Sequence, residues 1–226
     1  LSPSTLIAPA VKSNAYGHGL LTAAHAFLRG GADWLCVHTL HEASLLRESG
    51  VNVPIYVFGP TQVEDLEEAA ALALHLVLYQ EEHLQRLGEL AHTSPLLIRS
   101  LKLHLKIETG NHRQGISLSR AREFVKMISA HPPLNLIGVT SHFANIEDTT
   151  EHRFAELQLT RLREAARELE ELAGRPLLCH IANSAASLLW PERALSLARI
   201  GIASYGLWPS PTVRSETASL LSPPLS

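Results

Sequence analysis

Lys12 closes an apolar strand. In the stretch Val11-Lys12-Ser13-Asn14-Ala15-Tyr16-Gly17-His18-Gly19 its amine follows the run Leu6 to Val11, half withdrawn from water. Burial disfavours the charged form of an amine, lowers its pKa and supplies the neutral nucleophile that a Schiff base needs. The same spacing also fits a surface lysine whose tip snorkels to solvent. Two later strand ends carry anion-site chemistry. In His180-Ile181-Ala182-Asn183-Ser184 the last two residues cap a helix, and a capped N-terminus with a hydroxyl can also receive an anion. In Ala198-Arg199-Ile200-Gly201 the glycine lets a ligand approach the backbone closely. Lys106 and Glu108 are two residues apart and share one face of a strand, as a buried ion pair or as a functional pair. His142, just after the strand end Thr140-Ser141, is structural or catalytic on this pattern alone.

These residues need a scaffold that gathers strand ends. Short apolar runs predict strands over Leu6 to Val11, Trp34 to Val37, Pro54 to Phe58, His75 to Leu78, Leu101 to Ile107, Leu136 to Thr140, Leu177 to Ile181 and Leu197 to Ile200. Amphipathic runs between them predict helices over Gly19 to Arg29, Leu40 to Glu48, Thr61 to Ala71, Glu81 to His92, Ser119 to Ala130, Glu151 to Ala173 and Ser184 to Trp190. Thr61 and Glu64 have capping-box spacing at the start of the third helix. Eight strands alternating with helices predict a parallel α/β sheet with right-handed crossovers. The expectation is a closed (β/α)8 TIM-type barrel, with an open doubly wound sheet as the alternative. In a barrel the chemistry sits at the C-terminal ends of the strands, where these candidates lie.

Composition sets the bounds. With 226 residues, 46 % of them apolar, the chain can build one large core. A net charge of −3 argues against nucleic acid or an anionic membrane as partner. No run of 18 apolar residues is present, so no membrane span is expected. The 13 histidines form no metal-ligand motif. The two cysteines, Cys36 and Cys179, lie in strand-like runs and read as buried reduced thiols.

Taken together, Val11 to Gly19, Thr109-Gly110 with Arg113 and Gly115, Ser141 to Ala144, Asn183 to Ala186, and Arg199-Ile200-Gly201-Ile202 through Tyr205-Gly206-Leu207 resemble the alanine racemase family in content and order. The resemblance runs from Leu6 to about Pro209. It implies a barrel domain over residues 1–209 that binds pyridoxal 5′-phosphate, with Lys12 carrying the cofactor and acting as one of two racemisation bases. It implies phosphate contacts from Tyr16, Ser184, Gly201 and Ile202, with Asn183 beside them. Arg199 would face the pyridine nitrogen, and His142 and His180 would surround the ring and the Arg199 network. Arg113 would meet the substrate carboxylate, oriented by a carbamylated Lys106. The partners implied are a small amino-acid substrate, alanine foremost, and a second copy of the chain in a homodimer. The implied setting is the cytoplasm and the supply of D-alanine for the cell wall.

Some features depart from the pattern. Asn111-His112 replaces a small or apolar pair, and Glu147-Asp148 differs after the sixth strand, which leaves the substrate open to serine or a broader set. Residues 210–226, rich in Ser, Pro and Leu towards the end, read as a linker to a C-terminal β domain that supplies the second base, a tyrosine. Without that domain the barrel is expected to racemise poorly. A decarboxylase of basic amino acids would carry an acidic residue where Arg199 stands. A non-catalytic pyridoxal-phosphate homeostasis protein is the alternative from another class.

Overall fold

The computed structural model describes residues 1–218. Eight parallel strands, β1 (Leu6–Pro9), β2 (Leu35–Val37), β3 (Ile55–Val57), β4 (His75–Leu78), β5 (Lys102–Lys106), β6 (Leu136–Thr140), β7 (Leu178–His180) and β8 (Leu197–Ile200), form a ring. Strands β2 to β7 pair in chain order, and β1 pairs with β8. Backbone contacts close the two seams. Ala10 bridges Cys36 between the first two strands, and Ser196 N donates to Cys179 O (3.0 Å) between the last two. The barrel expectation holds, and the open sheet does not.

The helices follow the strands. After β1 come α1 (Lys12–Tyr16), a single tight turn, and α2 (Leu20–Arg29). The others are α3 (Leu40–Glu48), α4 (Leu66–Ala71), α5 (Glu81–Thr93), α6 (Pro95–Ile98), α7 (Leu118–Ser129), α8 (Arg153–Ala173), α9 (Ser184–Leu189) and α10 (Pro211–Thr217). Their apolar faces pack on the outside of the ring in the larger core, which includes Leu46, Leu87, Phe124 and Leu162. Alternate strand residues point into the lumen, where Ala8, Ala10, Trp34, Cys36, Tyr56 and Leu197 form a second cluster. Strands buried on both faces explain why the runs read as continuously apolar rather than alternating.

Three local expectations fail. The capping box at Thr61 and Glu64 does not form: Val63–Asp65 is a 3-10 turn, and α4 starts at Leu66 without a side-chain cap. Instead, the Thr61 carbonyl accepts from His83 Nε2 (2.7 Å), which pins the loop. The same spacing works at Thr39 and Glu42, where Thr39 is extended and Glu42 sits at the third helical position. Helices α6 and α10 were not anticipated, although each opens with proline, a favoured first helical residue. Helix α10 lies in the stretch expected to be linker. Ser210 Oγ caps it, and Val213 and Thr217 are buried against the body. The remainder of that stretch, 219–226, lies outside the described residues. Finally, Cys36 is buried but Cys179 only half-buried. Burial pushes both thiols up to about 12, which suits inert rather than nucleophilic sulfur. Among the described residues, no helix is long and apolar enough to cross a membrane and no group of side chains could hold a metal ion.

Candidate active site

The chain leaves β1 through a left-handed turn. Ser13, Asn14, Ala15 and Tyr16 have φ of 53, 52, 53 and 53°, where side chains crowd the carbonyls at about 1–2 kcal/mol per residue. Local bonds hold the turn. Glu42 Oε1 accepts from Ser13 N (2.5 Å), while Glu42 Oε2 accepts from His38 N (2.8 Å) and Thr39 N (3.1 Å). Asn14 Oδ1 accepts from Leu20 N (2.8 Å), and Asn14 O accepts from Gly17 and Gly19 N (both 3.0 Å). The glycines continue with φ of 92 and 91°. Lys12, half-buried at the head of the turn, has its Nζ 5.4 Å from the Phe58 ring centre and 5.9 Å from that of Tyr16.

A cavity of about 320 Å³ opens at this end of the barrel, inside the range of small-molecule sites. Lys12, Tyr16, Lys106, Arg113, His142, Asn183, Ser184, Arg199, Gly201 and Ile202 all line it. His180 does not line it. It lies fully buried behind Arg199.

One wall is shaped for an anion. Ser184 Oγ accepts from Gly201 N (2.9 Å) and Ala203 N (3.3 Å). A Cβ at position 201 would sit 2.8 Å from the Tyr16 hydroxyl and 3.6 Å from Ser184 Oγ. Glycine thus leaves open a cradle that any side chain would fill. Asn183 is the helix cap expected from the sequence, with Oδ1 accepting from Ala186 N (2.9 Å), and its amide also donates to Glu147 Oε2 (3.3 Å).

Arg199 forms the floor. A guanidinium has five N–H donors, and four are committed. Nη1 donates to Thr140 Oγ1 (3.2 Å) and to His180 Nδ1; Nη2 donates to Ser141 O (2.8 Å) and Ile181 O (3.4 Å). The remaining Nε–H has no partner among the described residues. This charged, pre-oriented group can offer one hydrogen bond into the cavity while keeping its proton.

The opposite wall is cationic. Burial, then Arg199 and Arg113, hold the Lys106 amine well below its ordinary range, against a smaller opposing pull from Glu108. Burial, then Arg199, Lys106, Arg113 and Lys12, likewise hold the His142 imidazole neutral. The expected burial of Glu108 beside Lys106 is not what forms. The strand ends at Lys106, and Glu108 turns into the following loop, where Gly110 N donates to its carboxylate. Its partial burial alone would raise its pKa, but backbone bonds from Gly110, His112 and Asn111 outweigh that and hold it low. Lys106 therefore has no carboxylate partner among the described residues.

Sequence reasoning missed Tyr56, Phe58 and Glu147 on the cavity wall. Tyr56 and Phe58 alternate at the end of β3 and face the lumen by the period-two rule, a signal that was available. Glu147 stood out only as a departure from the family pattern.

The family model for the alanine racemase N-terminal domain matches residues 1–209. An alanine racemase of Geobacillus stearothermophilus is 38 % identical over 215 residues, covering 95 % of this chain and 53 % of the relative. One from Nostoc sp. is 34 % identical over 221 residues, covering 96 % and 56 %. Among solved structures, alanine racemase from D-cycloserine-producing Streptomyces lavendulae superposes with a TM-score of 0.87 at 32 % identity, covering 96 % of this chain and 56 % of that one. The Bacillus anthracis enzyme with bound L-Ala-P gives 0.82 at 32 %, covering 95 % and 55 %. The chain spans about half the length of the curated relatives it matches. With a closed barrel, a lysine at its mouth and this match across nearly all of its length, the chain belongs to the alanine racemase N-terminal domain family.

Proposed function

We propose that this chain is the pyridoxal-phosphate-binding barrel of an amino-acid racemase acting on alanine, with Lys12 as its cofactor lysine and one of its two bases. The observation that carries the reading is the arrangement across one cavity. The Lys12 amine stands at one side, Arg199, whose Nε–H has no partner among the described residues, lies on the floor, and the Gly201 cradle lies at the other side. That donor set fits a flat ring with one acceptor nitrogen and an anionic tail, as in pyridoxal phosphate. Bound there, the cofactor withdraws electrons from the substrate α-carbon, so that the α-proton can be removed.

The chain's own residues then divide the work. Lys12 holds the cofactor and accepts or returns the α-proton at Nζ from one face. Tyr16, Ser184 and the Ile202 amide bind the phosphate in the space left by Gly201, with Asn183 fixing the helix that presents Ser184. Arg199 donates to the ring nitrogen but does not surrender a proton, so the ring is a weaker electron sink than it would be over an acid. His142 packs beside the ring as a neutral group, and His180 orients Arg199. Arg113 receives the substrate carboxylate. The second base, a tyrosine, belongs to a C-terminal β domain of a longer protein and acts across a homodimer, so the barrel alone racemises weakly. The role follows from the family: D-alanine supply for peptidoglycan in the cytoplasm.

Lys106 carries a second proposal. A buried amine held well below its ordinary range, with no carboxylate partner among the described residues, can attack carbon dioxide through its neutral form, making an N–C bond as one C=O bond opens to C–O⁻ and releasing one N–H proton. The resulting carbamate would be an anion placed to orient Arg113. Mass spectrometry under native conditions should find the added carbon dioxide on Lys106; an unmodified lysine alongside full activity would remove the proposal.

The central test is chemical trapping. Borohydride reduction of the protein with pyridoxal phosphate should leave the label on the peptide containing Lys12, and Lys12→Ala should abolish it. A label on another lysine overturns the assignment. With a C-terminal domain of the family joined on, conversion of L- to D-alanine should appear.

A further inference from the structure

Three imidazoles cross the barrel lumen in a line from the floor of the cavity towards its far mouth. Arg199 Nη1 meets His180 Nδ1. His180 Nε2 lies 2.9 Å from His104 Nδ1, and His104 Nε2 lies 3.1 Å from His75 Nδ1. His180 and His104 are fully buried. His75, at the N-terminal start of β4, is 7 % exposed. The file is packed on its flanks. Trp34 lies edge-on to His75 (4.3 Å between centres), and Tyr56 lies against His104 and His180 (4.8 and 5.4 Å). On β6, Gly138 leaves room for the His104 ring, and a Cβ there would overlap Nδ1.

The direction of every bond in the file follows from its first member. A guanidinium can only donate, so His180 Nδ1 must accept and its proton sits on Nε2. His180 then donates to His104 Nδ1, which places the His104 proton on Nε2. His104 in turn donates to His75 Nδ1. We propose that His75, on the far side of the lumen from the cavity, is a positioning residue for Arg199, acting as terminal acceptor of a histidine relay that fixes the tautomers of His104 and His180. If the acceptor at position 75 is lost, the His104 Nε2 proton is stranded. Moving that proton to Nδ1 would force the His180 proton onto Nδ1, where Thr140 Oγ1 (3.1 Å) can accept it but Arg199 Nη1 loses its acceptor. The far end of the file thereby governs whether Arg199 keeps one of the four acceptors that hold its guanidinium on the cavity floor.

The surroundings keep the file neutral. Burial, then Lys102 and Arg47, hold His75 down at about 3. Burial, then His75 and Arg199, hold His104 well below its ordinary value. For His180 the causes are burial, then Arg199, His104, Lys106 and His75.

The tautomers are open to measurement without cofactor. Long-range 1H–15N correlation on the histidine-labelled 226-residue chain at neutral pH should show all three rings protonated at Nε2. An Nδ1-protonated or cationic His180 or His104 overturns the proposal, whatever any variant does. In His75→Leu the His104 and His180 signals should leave that pattern. In His75→Asn, whose side-chain oxygen stands where Nδ1 stood, they should keep it. An unchanged pattern in His75→Leu also overturns the relay. A second measurement rests on the reading of the cavity as a pyridoxal phosphate site. The Kd for that cofactor should rise about fivefold in His75→Leu and recover in His75→Asn, with an unfolding midpoint recorded for each. Equal affinity in both variants defeats the positioning role. Failure of the unsubstituted chain to bind the cofactor, with the expected tautomers present, would sink the cofactor reading and leave the relay standing.

Discussion

At the scale of single residues, the cavity depends on what one position lacks. Gly201 borders both the Tyr16 hydroxyl and Ser184, and its missing Cβ is the space in which an anion would sit. Gly201→Ala should therefore weaken pyridoxal phosphate binding about tenfold, roughly 1.4 kcal/mol. Its amide would still donate to Ser184 Oγ, so the unfolding midpoint should barely move. Titration of cofactor absorbance against the variant checks both; equal affinity would place the phosphate elsewhere. Gly138 works in the same way for a different neighbour, leaving the space that the His104 ring occupies. The close approach at Gly201 was legible from its place after a strand end, but the role of Gly138 was not, because a glycine in a strand reads only as weak β propensity until its neighbour across the lumen is known.

At the scale of elements, the left-handed turn at Lys12–Tyr16 shows local preference overruled by its surroundings. Four consecutive residues other than glycine hold positive φ, a conformation that sequence propensity would not select. Glu42 on α3 and the Asn14 side chain supply the bonds that keep it. Ser13 is exposed and its hydroxyl makes no hydrogen bond among the described residues. Ser13→Gly should thus relieve left-handed strain of about 1–2 kcal/mol and cost about 0.5–1 kcal/mol in chain entropy. A net stabilisation of about 0.5–1 kcal/mol is expected, read as a higher urea midpoint at unchanged slope. A lower midpoint would mean that the turn is not strained at that residue. Strand and helix positions were largely legible from the apolar runs. The failures came where a tertiary contact decided the local geometry, as at Thr61, whose carbonyl is held by His83 on α5.

For the molecule as a whole, the polar lumen sets the response to acid. His75, His104, His142 and His180 are all held below their ordinary range when folded, first by burial and then by neighbouring positive charge. In the unfolded chain they titrate near 6.5. Between that value and the lower folded ones the unfolded state binds more protons, so stability rises with pH across the window and is lost as pH falls through it. Each group contributes a slope of about 1.4 kcal/mol per pH unit. At pH 5, denaturant midpoints measured against pH should report an uptake on unfolding that includes close to four protons from these rings, and His75→Leu should lower the total by one. A flat profile between pH 6 and 4 would mean that these rings are already charged in the fold.

The sequence by itself determined the barrel, the lysine at its mouth and the family, because apolar periodicity and a motif order that spans the chain are both carried locally. It also singled out eleven candidate site residues near strand ends, where a barrel gathers them, and ten of these line one cavity. Only the tertiary structure decided that Glu108 turns away from Lys106, that His180 stands behind Arg199 rather than in the cavity, and that His75 completes a hydrogen-bonded file. Those outcomes depend on which side chains from distant strands meet inside the closed ring. Register and closure fix that, and neither is written in any single stretch of the chain.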